Sequence, residues 1–392
     1  MSIRDQVLTG LRWTAGLRFL SQLSTWLITL IVIRLLTPAD YGLMAMAAAM
    51  IGFFTLLNDV IGISLIQNLE LDVLLKKKMF GLIIIVNFLL FLIMIVSAPW
   101  ISVLLNEPRL VPVVRLLSFR FLLFPFTSFP NAILRKEMNF KTIGIVSVVS
   151  GLVGSVVTLI LAYRGMGVWS LVWGSLAMHS AKAIHFNITS HCLPVPCFSM
   201  QGMGHMVSFS SYVIGGAVVR YLFDSLDLLL VGRILGKEIL GFYAVGKQIS
   251  TLPMQKLSGI INFVGFPAYA SIQKDKERAR KYYLKTIRVM AFVSFPVLWG
   301  IASVAGSFVP TILGAKWEMA IFPLQTMSLI VPLWMIHNLN SPFMYGMGQP
   351  EIIFYNSVIA LLFVPTSVAI GSYFGLYGAS MAWLLSFPFV FI

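Results

Sequence analysis

From Met79 to Ala98 the chain runs through one bilayer thickness without a charged side chain. About 20 apolar residues are what an α-helix needs to cross the hydrocarbon core. Similar stretches recur along the whole sequence. Hydropathy and turn residues place them near 13–36, 41–67, 79–105, 112–133, 142–163 and 166–187, then near 207–231, 239–269, 286–312, 320–345, 351–373 and 376–392. With 58% hydrophobic and 11% charged residues in 392, the chain has under half the charge that covers a soluble domain. A soluble body, a disordered chain and a disulfide scaffold are excluded together. The expected fold is an all-α polytopic membrane protein of about twelve transmembrane helices. Arg4 and Arg12 precede the first run, Leu23–Leu36, and no small-residue cleavage site follows, so that helix is expected to remain in the protein.

The two halves of the chain echo each other. Arg34-Leu35-Leu36 followed by Tyr41-Gly42-Leu43-Met44-Ala45 matches Arg233-Ile234-Leu235 followed by Leu240-Gly241-Phe242-Tyr243-Ala244. Gly165, Ser170 and Trp173 match Gly375, Ser380 and Trp383 in the same order. Six helices per half is an even number, so both halves enter the membrane in the same sense. That is a parallel repeat: two six-helix lobes around a central cavity, with the substrate expected at their interface. The lobes are assigned to 1–190 and 207–392, joined by the Pro/Gly/His/Ser-rich stretch 191–206. By the repeat, the twelfth helix would run past Ile392 and is expected to be incomplete. His191, Cys192 and Cys197 lie in the linker with His185 and His205 nearby, but two prolines and a four-residue gap fit zinc poorly. Two ordinary thiols in a loop are expected, with no metal and no cofactor.

The net charge is +14, and its distribution gives an orientation. Seventeen Lys and Arg fall on the connections of one side, including Lys76–Lys78, Arg135, Lys136, Lys141 and the run from Lys274 to Arg288, against seven on the other. The positive-inside rule places both termini in the cytoplasm. The Lys274–Arg288 run is then expected at the anionic inner leaflet, so membrane lipid rather than nucleic acid accounts for the basic excess.

Polar stripes mark the interior. Thr14, Arg18, Ser21, Gln22, Thr25 and Thr29 recur at helical spacing on the first helix, and Lys247, Thr251, Gln255, Ser258 and Asn262 on the eighth. The second carries Thr55, Asn58, Asp59 and Gly62; the seventh carries Gly216, Arg220, Asp224 and Asp227. Interhelical hydrogen bonds account for the hydroxyls. Charges at about 2.5–3.5 kcal/mol each near mid-bilayer need a further reason. Arg18, Arg220, Lys247 and Lys256 against Asp59, Asp224 and Asp227 leave one net positive charge, which suits a large amphiphile bearing a phosphate or acidic sugar. Arg18, Gln22, Arg220, Lys247 and Gln255 are the candidate substrate contacts. Asp59, Asp224 and Asp227 are candidates for ion coupling or charge pairing. Arg220 and Asp224 are spaced to neutralise each other along one helical turn. His179, alone near the cytoplasmic end of the sixth helix, is assigned to structure.

No Walker A sequence, paired metal motif or Gly-x-Ser-x-Gly elbow occurs, so an ion gradient, the membrane potential or the substrate's own gradient must supply the energy. An integral-membrane glycosyltransferase or polymerase is the rival reading. It would need catalytic acids in a sizeable external loop, and the outer side offers only Asp40, Glu107, Glu238 and Glu318.

The turn Arg34-Leu-Leu-Thr-Pro-Ala-Asp-Tyr-Gly42 with Ala45 resembles the first external turn of bacterial oligosaccharide flippases. These form the polysaccharide-transport branch of the multidrug/oligosaccharidyl-lipid/polysaccharide exporter superfamily. Asp227-Leu-Leu-Leu-Val-Gly-Arg233-Ile-Leu-Gly236, Leu240–Ala244, Phe266-Pro267-Ala268 and Gly165-Met-Gly-Val-Trp-Ser-Leu171 resemble further patterns of that branch. The resemblance runs essentially end to end. It implies two six-helix lobes in a V, with a cavity lined largely by helices one, two, seven and eight. It implies alternating access for a polyprenyl-linked oligosaccharide in a bacterial cytoplasmic membrane, with H+ or Na+ as a coupling ion. A polysaccharide polymerase and glycosyltransferases are the implied protein partners. Members of that branch commonly continue for two further helices, so the chain is expected to be either truncated or a shortened variant; a cation-coupled multidrug exporter of the same superfamily is the alternative.

Overall fold

The computed structural model describes residues 24–67, 73–137, 139–190, 193–199, 204–273 and 275–391, and among them it contains helices and turns but no strand. The fold divides into two compact units, Met1–Val218 and Val219–Ile392.

The first unit contains α1 (Ser24–Leu35), α2 (Pro38–Gln67), α3 (Val73–Leu104), α4 (Leu110–Leu123), α5 (Pro125–Lys136), α6 (Phe140–Tyr163) and α7 (Val168–Ser190). The expected fourth span is thus two helices, bent by 42° at their junction. Pro125 marks the break: it lacks the N–H that would continue the hydrogen-bond ladder, while Phe124 before it keeps helical dihedrals (φ −62°, ψ −43°), and proline starts a new helix well. Pro99, Pro130, Pro296 and Pro332 lie inside continuous helices.

Glycines set the closest helix contact of this unit. A Cβ on Gly154 of α6 would lie 2.6 Å from Met178 Cβ and 2.9 Å from the Gly174 carbonyl oxygen of α7, and one on Gly174 would overlap Thr158 Oγ1. Only residues without a side chain let two helices approach so closely, as small-residue packing in membranes requires. On the opposite side Met79, Phe80 and Ile83 of α3 pack with Phe129, Ala132 and Ile133 of α5. Leu193 joins them from the extended stretch after α7. That stretch is pinned to α3 by a hydrogen bond from the Cys197 N–H to the Lys77 carbonyl, 2.9 Å.

The turn into α2 is closed by one carboxylate. Asp40 Oδ2 accepts from the Thr37 N–H (3.0 Å) and hydroxyl (2.6 Å), while Oδ1 accepts from the Val168 N–H at the start of α7 (3.0 Å). Asp40 therefore ties the turn between α1 and α2 to the start of α7, 128 residues away. Replacing Asp40 with Ala is expected to cost about 1.5–3 kcal/mol, the range for hydrogen bonds to a charged group. Thermal unfolding of the purified protein measures it; Asp40→Asn should keep part of the loss at bay, and an unchanged midpoint in Asp40→Ala would refute the role.

The second unit holds most of α8 (Gly204–Ser271), then α9 (Lys276–Phe308), α10 (Ile321–His337), α11 (Asn340–Gly346), α12 (Pro350–Ser372) and α13 (Gly375–Phe391). A short π-helical turn, Val309–Leu313, and a 3-10 turn, Ala315–Ala320, join α9 to α10. At Gly236 (φ 82°, ψ 173°) the backbone leaves the helix and divides α8 into two limbs, 204–235 and 237–271, the expected seventh and eighth spans. By the internal repeat, Gly236 stands where the first half has Thr37, and Ile239 where it has Asp40. The first half closes this turn with a carboxylate; the second closes it with a residue free to take positive φ.

The other repeated turn is closer to a copy. Gly165 and Gly375 have φ of 75° and 76°, and Ser170 and Ser380 are both buried with their hydroxyls on backbone carbonyls. Close packing recurs as well, since a Cβ on Gly371 of α12 would overlap the Gly378 carbonyl oxygen of α13. The tryptophans differ: Trp173 is 45% exposed, whereas Trp383 is 0% exposed.

Large apolar side chains cover much of the outer surface. Phe292 is 82% exposed, and Trp100, Leu362 and Phe389 also face outward. Such a surface requires lipid as its solvent. Six helical segments among the described residues are long and apolar enough to cross a membrane, a seventh is the bent α4–α5 pair, and Ser24–Leu35 and Gly375–Val390 are shorter apolar helices. The protein is a multi-pass, all-α membrane protein. α7 and the two limbs of α8 have spanning length but more polar composition, and α8 carries the charged groups described next.

Candidate functional site

Reversal at Gly236 lays the two limbs of α8 side by side, so groups twenty residues apart in sequence meet. Asp227 on the first limb is 0% exposed and Lys247 on the second is 8% exposed. Lys247 Nζ donates to Asp227 Oδ2 at 2.6 Å and to the Asp224 carbonyl oxygen at 2.9 Å. The same Oδ2 accepts from the Tyr243 hydroxyl at 2.7 Å and from Trp383 Nε1 of α13 at 3.1 Å. The ammonium lies 5.0 Å from the centre of the Trp383 ring and 5.9 Å from that of Trp334 in α10. These two indoles stack 5.1 Å apart, with Phe223 edge-on to both. The carboxylate thus has three donors, and the ammonium has its counter-charge and two indole rings beside it, the pairing that a buried charge requires. Asp227 Oδ1 is buried without a hydrogen-bond partner among the described residues.

One and two turns earlier on the first limb the environment opens. Arg220 Nε donates to Asp224 Oδ2 at 3.3 Å, and its terminal nitrogen donates to Asn338 Oδ1 at 3.0 Å. The Arg220 side chain is 47% exposed and that of Asp224 35%, although Asp224 Oδ1 itself is buried without a partner among the described residues. Arg220 borders a cavity of about 90 Å³ between α8, α10, α11 and α12. Its polar lining is Arg220, His337, Asn338, Asn340, Ser341, Asn356 and Ser357, with Trp334 and Phe223 on the apolar side. A guanidinium with carboxamides and hydroxyls around it can satisfy an anionic oxygen of a phosphate or carboxylate.

The structure thus brings together Arg220, Asp224, Asp227 and Lys247. Lys247, expected as a free cation toward substrate, spends two of its three donors on Asp227 and the Asp224 backbone. Asp227, for which the sequence shows no partner along its own helix, finds three through the fold. Arg18 and Gln22 lie outside the described residues, and Asp59 and Gln255 lie on α2 and α8 with side chains outside them. In the first unit Thr29 and Thr55 bond to carbonyls of their own helices, so these hydroxyls of the polar stripe are satisfied locally. His179 Nδ1 lies 2.8 Å from the Ser175 carbonyl of its own helix.

Sequence reasoning missed Tyr243, Trp334, Asn338 and Trp383. Tyr243 and Trp383 stand within the repeated motifs, where they serve only as alignment marks. Asn338, an amide at the end of an apolar span, was the available signal for the cavity.

The pattern of the polysaccharide biosynthesis protein family matches residues 31–322, which contain both limbs of α8. The chain belongs to that family. It is 26% identical over 390 residues to the lipopolysaccharide biosynthesis protein WzxC of Escherichia coli (strain K12), covering 98% of this chain and 79% of that one. It is 27% identical over 373 residues to the teichuronic acid biosynthesis protein TuaB of Bacillus subtilis (strain 168), covering 92% and 76%. Among solved structures it resembles the lipid II flippase MurJ in an inward closed conformation, with a TM-score of 0.74 at 14% identity over 95% of this chain and 86% of that one. At that identity the likeness concerns the fold.

Proposed function

We propose that this protein carries a polyprenyl-linked oligosaccharide from the inner to the outer leaflet of a bacterial cytoplasmic membrane, by alternating access, for surface polysaccharide export. The observation that carries the reading is the polar cavity at Arg220 in an apolar helical bundle whose family and named relatives serve polysaccharide biosynthesis. A charged saccharide headgroup needs such a lining, and a polyprenyl tail needs the lipid-facing surface. The protein acts as a transporter, not an enzyme. Two six-helix lobes joined through 191–206 rock about the substrate, and both termini face the cytoplasm. Arg220 holds a phosphate or acidic sugar, with Arg18, Gln22 and Gln255 as further contacts. Lys247 and Asp227 hold the second lobe's helices together in the arrangement described. Asp59 and Asp224 remain the acids for coupling to H+ or Na+. A polysaccharide polymerase and glycosyltransferases consume and supply the substrate.

Deleting the gene tests this. One surface polysaccharide should disappear, and a polyprenyl-linked repeat unit should accumulate on the cytoplasmic leaflet. Normal polysaccharide with raised sensitivity to cationic drugs would transfer the protein to the multidrug class.

A further inference from the structure

At its rise of about 1.5 Å per residue, α9, with 33 residues, is about 50 Å long, well beyond a hydrocarbon core of about 30 Å. Its excess lies at one end. Arg278, Lys281, Lys285 and Arg288 recur at i, i+3, i+7 and i+10, which puts all four on one exposed stripe. The same face continues as Val289 and Phe292, both exposed and apolar. From Val289 to Phe308 the helix is about 30 Å long, one hydrocarbon thickness. The switch from charge to hydrocarbon after Arg288 therefore falls at the membrane boundary, with the basic stripe at headgroup level.

The stripe is held rigid from behind. Ala279 and Met290 are buried, Tyr283 stacks on Phe343 of α11 at 4.2 Å, and Asp275 caps the helix by accepting from the Arg278 N–H at 3.0 Å. Tyr282 is half exposed beside the stripe, with the Arg278 guanidinium 5.7 Å from its ring centre, and supplies the aromatic anchor that suits an interface. None of the four cations forms an ion pair with a described carboxylate. A row of exposed cations, with Glu277 the one acid on the same helix, next to an exposed apolar surface matches one partner: a phosphodiester headgroup whose acyl chains lie against Val289 and Phe292.

We propose that this face of α9 binds anionic glycerophospholipid of the cytoplasmic leaflet, the Arg side chains holding phosphate oxygens in pairs and the Lys side chains acting as point charges. The leaflet assignment rests on the orientation proposed above; the lipid chemistry does not.

The test uses the full-length purified protein in bilayers of phosphatidylcholine, with or without one-third phosphatidylglycerol. Phosphatidylglycerol retained per protein is counted by native mass spectrometry. Wild type should retain it selectively. Lys281→Gln/Lys285→Gln/Arg288→Gln should lose retention by roughly fivefold per removed charge. The charge-matched Arg135→Gln/Lys136→Gln/Lys141→Gln should keep it, and Lys281→Arg/Lys285→Arg should bind as wild type, which separates lost contact from lost folding. Equal losses in both triple variants, or no selectivity in wild type, would overturn the proposal. Orientation is read separately by an impermeant thiol reagent on Lys285→Cys, with Cys192 and Cys197 replaced by Ser. Labelling from outside the cell would overturn the leaflet, whereas failure of the deletion test would bear on transport alone.

Discussion

Lys247→Met is expected to destabilise the protein by about 3–5 kcal/mol, because it leaves the Asp227 carboxylate buried without its counter-ion. Asp227→Asn should destabilise by a similar amount, since the ammonium would then sit uncompensated beside the stacked Trp334 and Trp383. The double variant Asp227→Asn/Lys247→Met should recover most of the loss, as replacing both members of a buried pair often costs little. Tyr243 and Trp383 can still donate to the Asn carbonyl, so the hydrogen bonds at 2.7 and 3.1 Å have an acceptor in the double variant. Thermal unfolding in detergent and the amount of protein in membranes both report the effect. Single variants as stable as wild type would remove the pair from the account of what holds the two limbs of α8 together. A stable double variant that no longer exports would give the pair a part in transport as well.

The second large effect is expected at Arg220. Arg220→Ala should reduce polysaccharide output by roughly ten- to a hundredfold, the range for hydrogen bonds to a charged partner at about 1.5–3 kcal/mol. Arg220→Lys should retain part of the output, because an ammonium offers a charge but not the planar fork. The decisive variant is Arg220→Ala/Asp224→Ala. If Arg220 served only to balance Asp224, removing both charges would restore output. Continued inactivity is expected instead, because the guanidinium is 47% exposed at the cavity and also engages Asn338. Output is compared at matched membrane levels, and full recovery in the double variant would assign the pair to structure.

Much of this architecture was legible in the sequence. Apolar stretches placed the spans because a segment's passage through lipid depends on its own composition and its own backbone hydrogen bonds. The repeat was legible because Gly165 and Gly375 answer the same local demand for positive φ at a turn. Prolines alone did not reveal the break at Pro125, because Pro130, Pro296 and Pro332 lie inside helices that continue past them, and packing against neighbours decides which proline interrupts a span. The site was half legible. Charges in apolar helices identified Arg220, Asp224, Asp227 and Lys247, and helical spacing joined Arg220 to Asp224.

The sequence by itself determined that the chain is a bundle of membrane-spanning helices with two similar halves and a few charges inside. It did so because the terms involved, apolar transfer, helical periodicity and turn geometry, act within one segment. Tertiary structure alone decided which charges are spoken for. Asp227 meets Lys247 only because Gly236 reverses the chain, and meets Trp383, 156 residues on, only because α13 packs beside α8. The energy of a buried charge depends on neighbours brought from distant segments, and no local pattern encodes them.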